Sequence, residues 1–138
     1  MIREIVKDET ILKQKSVSFV FGEDDYLIQD MLDTANKHIE NCAGLASIQI
    51  GVPKKIILVK QKDNYSVFIN PMIIKKSLET YVANEGCLSV DGIKPVKRHR
   101  SVKVVWTTPQ GKKKVQEFKG FIAEVIQHEC DHLHGILI

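Results

Sequence analysis

The sequence lacks any apolar run approaching the roughly 20 residues that are needed to cross a lipid bilayer. Its first eight residues, MIREIVKD, carry charges where a secretory signal peptide needs an apolar stretch. Cysteine is also scarce: Cys42, Cys87 and Cys130 are an odd number in a chain long enough to fold without disulfides. We therefore expect a cytoplasmic protein with reduced thiols and no membrane partner, in which a special cysteine would be a metal ligand or a nucleophile.

A strong charge imbalance is missing too, because 20 basic and 17 acidic residues leave a net charge of +3. This value is too small to indicate a nucleic-acid partner, and we expect no sequence-specific nucleic-acid binding. Residues 94–119 are an exception, with nine Lys or Arg residues and one acid, Glu117. Two interpretations of this segment are open: a solvated strand face, or a weak contact with RNA or another anionic surface.

Length and composition indicate one folded domain over residues 1–138, since 43% of the residues are hydrophobic and 27% are charged. Apolar side chains at three- and four-residue steps predict a long N-terminal helix over residues 24–41 and a second helix over residues 120–134. Short apolar runs bounded by turn residues predict strands at 45–50, 55–60, 66–70, 79–83, 102–107 and 114–118, with a hairpin at 109–111. This order predicts an α+β fold in which short antiparallel strands form sheets wrapped around the central C-terminal helix.

The predicted C-terminal helix contains the pattern HExxH over residues 128–132. At about 100° per residue, His132 lies about 40° around the helix from His128 and one turn further along, so both imidazoles can reach one metal ion. Glu129 lies about 60° from His132, which suits a general base acting on water beside that ion. We expect Asp131 and Gln127 to orient the two histidines.

Two histidines leave a divalent cation short of protein ligands, so a third ligand must come from elsewhere in the chain. Cys130 and His134 point to the opposite side of the predicted helix. Cys87, in the segment EGCLS at residues 85–89, is the leading candidate, because Gly86 lets another backbone approach closely. The alternative for Cys87 is a small buried apolar residue.

A third region of interest, residues 42–51, leaves the first helix through small side chains and enters a short apolar run. Small residues expose backbone N–H and C=O groups, which could hold an incoming peptide as an added strand. Gln49 is the polar residue of this run. It is either an outward-facing strand residue or an amide donor that stabilises an oxyanion.

Three separated motifs together resemble the peptide deformylase family: GLASIQ at 44–49, EGCLS at 85–89 and QHECDHLHG at 127–135. The resemblance spans essentially the whole chain. It implies a metal-dependent hydrolase of the bacterial cytoplasm that removes the N-formyl group from the starting methionine of nascent polypeptides and releases formate. It also implies one divalent cation, natively Fe(II), with Ni, Co or Zn able to occupy the site.

The resemblance assigns roles residue by residue. The family's metal ligands fall on Cys87, His128 and His132, and its catalytic glutamate falls on Glu129. The groups that hold the developing negative oxygen fall on Gln49 and the backbone N–H of Leu88. The substrate-binding positions fall on Ala43, Gly44 and Gly86 for the peptide backbone, on Ala43, Phe121 and Val125 for the methionine side chain, and on Arg98 for the outer substrate residues.

The sequence departs from the family pattern at several points. Cys42 and Ser47 stand where the family usually has glycine and alanine, and Glu124 puts an acid at the rim of the methionine pocket. The chain ends three residues after Gly135, so we expect no C-terminal ribosome-docking helix of the kind found in some bacterial members. A ribosome contact would then use another surface, such as the basic residues 94–119.

Two alternative functions are open. An HExxH peptidase generally takes its third ligand downstream of the motif, but only residues 133–138 follow here, which disfavours it. A degenerate deformylase-like protein would bind metal or formyl-peptides without turnover. Cys42 and the short C-terminal tail are the features that favour this second alternative, and the intact motif residues disfavour it.

Overall fold

The computed structural model describes residues 1–138 and contains three α-helices, α1 Glu9–Leu12, α2 Tyr26–Lys37 and α3 Phe121–Leu133. The apolar spacing that predicts α2 forms a buried stripe of Leu27, Met31 and Ala35. After α3, Gly135 has a φ of 75°, the left-handed conformation in which helices commonly end. Both predicted long helices are confirmed, although α2 has 12 residues where the sequence suggests 18, and α3 has 13 where it suggests 15.

Seven strands form two antiparallel sheets. The strands are β1 Gly44–Ala46, β2 Ile56–Gln61, β3 Asn64–Lys76, β4 Thr80–Cys87, β5 Val90–His99, β6 Ser101–Thr107 and β7 Lys113–Lys119. Five strands form one sheet in the order β1-β2-β3-β6-β7, and β4 pairs with β5 in a separate hairpin. The predicted α+β class with antiparallel strands is confirmed, as is the hairpin between β6 and β7.

The five-stranded sheet is covered by α3 on one face and by α2 on the other. Strand β2 shows this most clearly, because all of its residues from Ile56 to Val59 are buried. Ile57 and Val59 pack in the cluster that includes α3, whereas Ile56 and Leu58 pack in the cluster that includes α2. A strand buried on both faces reads as a continuous apolar run, which is how this segment appears in the sequence.

Two regions differ from the prediction. Residues 45–50 were predicted as one strand, but only Gly44–Ala46 is a strand, and Ser47–Ile50 is a 3₁₀-helix that ends at Gly51 with a φ of 87°. Strand β5 was not predicted, because its sequence is mostly charged and includes Pro95, and because most of its residues are exposed. Pairing with β4, from Thr80 opposite His99 onward, gives this segment its extended structure.

Helix α3 is the central element, since it lies against β1 and β2 on one side and against β5 on another. The side chains of β4 also reach α3, where Glu85 contacts His128 and Cys87 approaches His132. The two sheets therefore meet around the helix that carries the HExxH pattern.

No helix in the structure combines the length and the apolar character that a membrane span requires.

Candidate metal centre

Three side chains that the sequence suggests as metal ligands meet at one point between β4 and α3. The ligand atoms of Cys87, His128 and His132 all lie within 4.8 Å of one another. The Nε2 atoms of the two histidines are 3.3 Å apart, and the Sγ of Cys87 is 3.5 Å from the Nε2 of His132. The last residue of β4 is thus beside two residues one turn apart on α3.

These distances fit a single bound cation. A tetrahedral ion with nitrogen ligands at about 2.1 Å and a sulfur ligand at about 2.3 Å separates neighbouring ligand atoms by about 3.4–3.6 Å. Both histidine side chains are buried, with His132 fully so and His128 7% exposed, and their Nε2 atoms face each other. A thiolate with two imidazoles is a donor set that suits Zn, Fe and related transition metals.

Glu85 fixes the orientation of one of these imidazoles. The Nδ1 of His128 lies 2.8 Å from the Oε1 of Glu85, which leaves the Nε2 facing Cys87 and His132. Burial alone would raise the pKa of Glu85, but hydrogen bonds from Arg98 and His128 outweigh it and lower the pKa to about 2. Glu85 is therefore a carboxylate at neutral pH, and its negative charge favours a cation at the centre.

Three expectations about neighbouring residues need correction. Arg98 was expected near the outer substrate residues, but it is 3% exposed and donates to Glu85 at 2.9 and 2.7 Å and to Asp131 at 2.6 Å. Asp131 and Gln127 were expected to orient the histidines, but Asp131 pairs with Arg98, and Gln127 binds the backbone of His99. A residue from β4, and not a neighbour on α3, holds the imidazole of His128.

Glu129 lies beside the centre with a free oxygen. Its side chain is 4% exposed, and its Oε1 is buried without a hydrogen-bond partner. Burial is the main cause that raises the pKa of Glu129, to about 7. A carboxylate with an unpaired oxygen and a pKa near neutrality is suited to accept and return a proton.

Gln49 presents its amide nitrogen to the same point from the 3₁₀-helix. Its Oε1 accepts a hydrogen bond from the backbone N–H of Ala46 at 2.9 Å, which fixes the direction of the amide. Its Nε2 then donates to the Sγ of Cys87 and to the Oγ of Ser89, both at 3.2 Å. Of the two interpretations of Gln49, the structure favours the donor, because the residue is 1% exposed and does not face outward.

A cavity of about 210 Å³ opens onto this centre between β1, β4 and α3. Its walls contain the predicted catalytic residues Gln49, Leu88 and Glu129 and the predicted ligands Cys87 and His128. The predicted substrate-binding residues other than Arg98 also line it: Ala43, Gly44, Gly86, Phe121 and Val125. A side chain at position 44 would not fit, because an added Cβ would lie 2.8 Å from the Oε2 of Glu129.

Sequence reasoning missed two residues of the site, Glu85 and Ser89. Both are buried polar residues that flank Cys87 in the EGCLS motif. Their position in the motif was the only available signal, because their partners His128 and Gln49 lie 43 and 40 residues away along the chain.

Comparisons with known proteins give a consistent result. A model of the polypeptide deformylase family matches residues 2–138. The peptide deformylase of Clostridium beijerinckii is 41% identical over 138 residues, covering 100% of both chains. The peptide deformylase of Dictyoglomus turgidum is 39% identical and covers 99% of this chain and 88% of its own.

Solved structures agree with these sequence relatives. The actinonin-bound crystal structure of the class I type b peptide deformylase from Acinetobacter baumannii has a TM-score of 0.90 and 35% identity, with 99% of this chain and 95% of that chain covered. The peptide deformylase from Thermotoga maritima has a TM-score of 0.89 and 29% identity, with 99% and 94% covered.

Proposed function

This chain belongs to the polypeptide deformylase family, and we propose that its centre of Cys87, His128 and His132 hydrolyses the N-formyl group of nascent peptides. Members of the family are metallohydrolases that remove the formyl group from an N-terminal methionine. The convergence of the three ligand atoms beside Glu129 and Gln49 is the observation that carries the proposal. In this proposal, residues 1–138 form one catalytic domain.

The family uses a divalent metal, and we propose Cys87, His128 and His132 as its ligands in this chain, with Fe(II) as the native ion and Ni, Co or Zn as substitutes. The match between the donor distances and a tetrahedral ion supports this assignment. When bound, a divalent cation supplies Lewis acidity, which favours deprotonation of water near neutral pH. The thiolate ligand predicts that the Fe(II) form is sensitive to oxidation.

The reaction adds water to the formyl carbon, breaks the C–N bond and releases formate and a free amine. We assign the proton transfers to Glu129, whose unpaired Oε1 takes a proton from the attacking water and returns it to the leaving nitrogen. The Nε2 of Gln49 and the backbone N–H of Leu88 donate to the oxygen that becomes negative. Each such donor typically lowers the barrier by about 3–4 kcal/mol.

The substrate backbone is proposed to lie between the edges of β1 and β4, where Ala43, Gly44 and Gly86 line the cavity. Strand β1 is an edge of the five-stranded sheet and β4 belongs to a two-stranded one, so each strand offers an unpaired edge to a peptide. Phe121 and Val125 provide apolar surface for the methionine side chain. The Acinetobacter baumannii relative has been solved bound to Met-Ala-Ser, which supports a peptide ligand for this chain.

The direct test is formate release from formyl-Met-Ala-Ser by anaerobically purified, iron-loaded protein. We expect activity in the parent and loss of at least about a hundredfold in Glu129→Ala with metal content unchanged, because general acid–base catalysis contributes about 10²–10⁴-fold. Glu117→Ala, an exposed acid on β7, is the matched control and should be as active as the parent. Equal rates in the parent and Glu129→Ala would remove Glu129 from its role.

The same assay decides between turnover and binding alone. A degenerate protein would retain metal and bind formyl-Met-Ala-Ser while releasing no formate. The unpaired oxygen of Glu129 and the directed amide of Gln49 favour turnover.

We further propose a cytoplasmic location in a bacterium, where formylated nascent peptides are made.

We also propose that the chain contacts the ribosome through the outer face of β3, β6 and β7. This face carries three lysines, Lys75, Lys103 and Lys113. Lys103 on β6 lies between Lys75 on β3 and Glu117 on β7. Their charge suits the phosphates of ribosomal RNA. Replacing Lys103 and Lys113 by Ser should weaken ribosome co-sedimentation and its salt dependence; unchanged co-sedimentation would exclude this surface.

A further inference from the structure

Strand β4 and helix α3 are joined by three side-chain contacts, and the proposed reaction uses only two of them. The contacts involve alternate, inward-facing residues of β4 and residues four apart on α3. From the metal centre outward, they are Cys87 with His132, Glu85 with His128, and Tyr81 with Glu124. The first contact belongs to the metal centre and the second orients an imidazole. The third contact has no role in the steps described so far.

This outermost contact lies where two cavities meet. Glu124 and Phe121 line both the cavity at the metal centre and a second cavity of about 570 Å³, whereas Tyr81 lines only the second. The hydroxyl of Tyr81 donates to the Oε1 of Glu124 at 2.9 Å. The hydrogen bond therefore crosses the gap between β4 and α3 at the boundary of the two cavities.

The hydrogen bond between Tyr81 and Glu124, which we call the Tyr81–Glu124 bridge, has further contacts at the Tyr81 ring on β4. The guanidinium of Arg100 lies 5.0 Å from the centre of the Tyr81 ring, and it pairs with Glu79 at 2.9 Å. Burial, together with the acceptor Glu124, raises the pKa of Tyr81 to about 12, so its hydroxyl stays a donor at all physiological pH values. No Lys or Arg forms an ion pair with Glu124, so the hydroxyl of Tyr81 is its neutral donor, and the carboxyl of Glu85 is its other close polar neighbour.

Distance along the helix places this bridge within reach of the first substrate side chain. At 1.5 Å per residue, Glu124 lies about 6 Å from His128 towards the start of α3. A methionine side chain that enters the cavity beside Val125 extends over a similar length. An unbranched side chain only slightly longer would meet the carboxylate of Glu124.

We propose that the Tyr81–Glu124 bridge is a specificity-determining partition that limits the length of the first substrate side chain by closing the first cavity off from the second. This inference rests on the proposed deformylase function. Burial of each further methylene would otherwise strengthen binding about fourfold. With the partition in place, extra methylenes instead meet a hydrogen-bonded polar pair that would have to be broken and desolvated.

The test uses a homologous series of formyl-X-Ala-Ser peptides, in which X is norleucine, 2-aminoheptanoic acid or 2-aminooctanoic acid. In the parent protein, we expect kcat/KM to fall after norleucine. In Glu124→Ala, we expect it to rise about fourfold for each added methylene, mainly through KM. Tyr81→Phe keeps the ring but loses the hydrogen bond, and should fall between the two. Glu23→Ala, which removes an exposed acid that lines neither cavity, should keep the limit of the parent.

Calorimetric binding of the unformylated peptides X-Ala-Ser gives a second readout that does not require turnover. We expect the dissociation constants to follow the same pattern, with the longer side chains favoured only in the two partition variants. If the parent and Glu124→Ala show the same dependence on chain length in both measurements, the partition is excluded. If no protein releases formate from any peptide, the proposed function fails, while the binding series still decides whether the partition exists.

Discussion

The contact between Glu85 and His128 provides a quantitative test of how the metal centre is built. Glu85 is 7% exposed and accepts hydrogen bonds from His128 at 2.8 Å and from Arg98 at 2.9 and 2.7 Å. In Glu85→Gln, one amide oxygen would replace two carboxylate oxygens, and the new NH₂ group would face a donor. With its oxygen at the Oε1 position, the variant keeps an acceptor for the imidazole and for one guanidinium N–H, but it loses the negative charge and turns its NH₂ group towards the Nε–H of Arg98.

The expected losses follow from these contacts. Mutating a partner that orients a metal-binding histidine typically costs about 10–100-fold in metal affinity, which is about 1.4–2.8 kcal/mol, and here the loss of the carboxylate charge is the cause. Breaking a buried ion pair costs about 3–5 kcal/mol of folding stability. For a chain of this size, that loss lowers the melting temperature by roughly 10–20 °C.

Chelator competition measures the affinity, and thermal unfolding of the metal-free form measures the stability separately. Asp131→Asn is the matched control, because Asp131 also pairs with Arg98, at 2.6 Å, but its side chain is 27% exposed and does not touch His128. We expect this control to lose at most about 1 kcal/mol of stability and to keep its metal affinity. Metal affinity in Glu85→Gln equal to that of the parent would refute the orienting role of Glu85.

Three further predictions concern the ligand, the groove and acid stability. Cys87→Ala should lose metal on dialysis. Its control, Cys130→Ala, removes a buried thiol on the far side of α3 and should retain metal. Equal metal content in the two variants would refute Cys87 as a ligand. Gly44→Ala should reduce kcat/KM by at least about tenfold, because its Cβ would lie 2.8 Å from Val125 and from the carboxylate of Glu129. An unchanged kcat/KM would mean that the groove tolerates a side chain at this position. Because the folded-state pKa of Glu85 is lowered to about 2, its stabilisation is present above its ordinary pKa of 4.5 and is lost as pH falls towards 2. Arg98→Met should therefore unfold at a higher pH than the parent in an acid titration followed by circular dichroism, and coincident curves would contradict this.

The helices and the ligand triad were accessible from the sequence because their signals are local. The apolar spacing of α2 and α3 and the HExxH pattern each lie within one element, and helical geometry places His128 and His132 on one face. Cys87 required an argument from ligand number and from motif resemblance, because it lies 45 residues from His132. The structure places these three residues together.

The remaining features depend on tertiary contacts that no local pattern encodes. Strand β5 is mostly charged and exposed, so only its pairing with β4 makes it a strand. The run Ser47–Ile50 is buried throughout, which removes the alternation that separates a strand from a 3₁₀-helix. Arg98 was assigned to the outer substrate residues by family resemblance alone, whereas its burial depends on two distant carboxylates.

X-ray absorption spectroscopy of the iron- or zinc-loaded protein tests the ligand set of Cys87, His128 and His132, because it counts the ligand atoms around the cation. We expect one sulfur at about 2.3 Å and two imidazole nitrogens at about 2.0–2.1 Å, with the sulfur signal lost in Cys87→Ala. A parent spectrum without sulfur, or with fewer than two imidazoles, would contradict this ligand set.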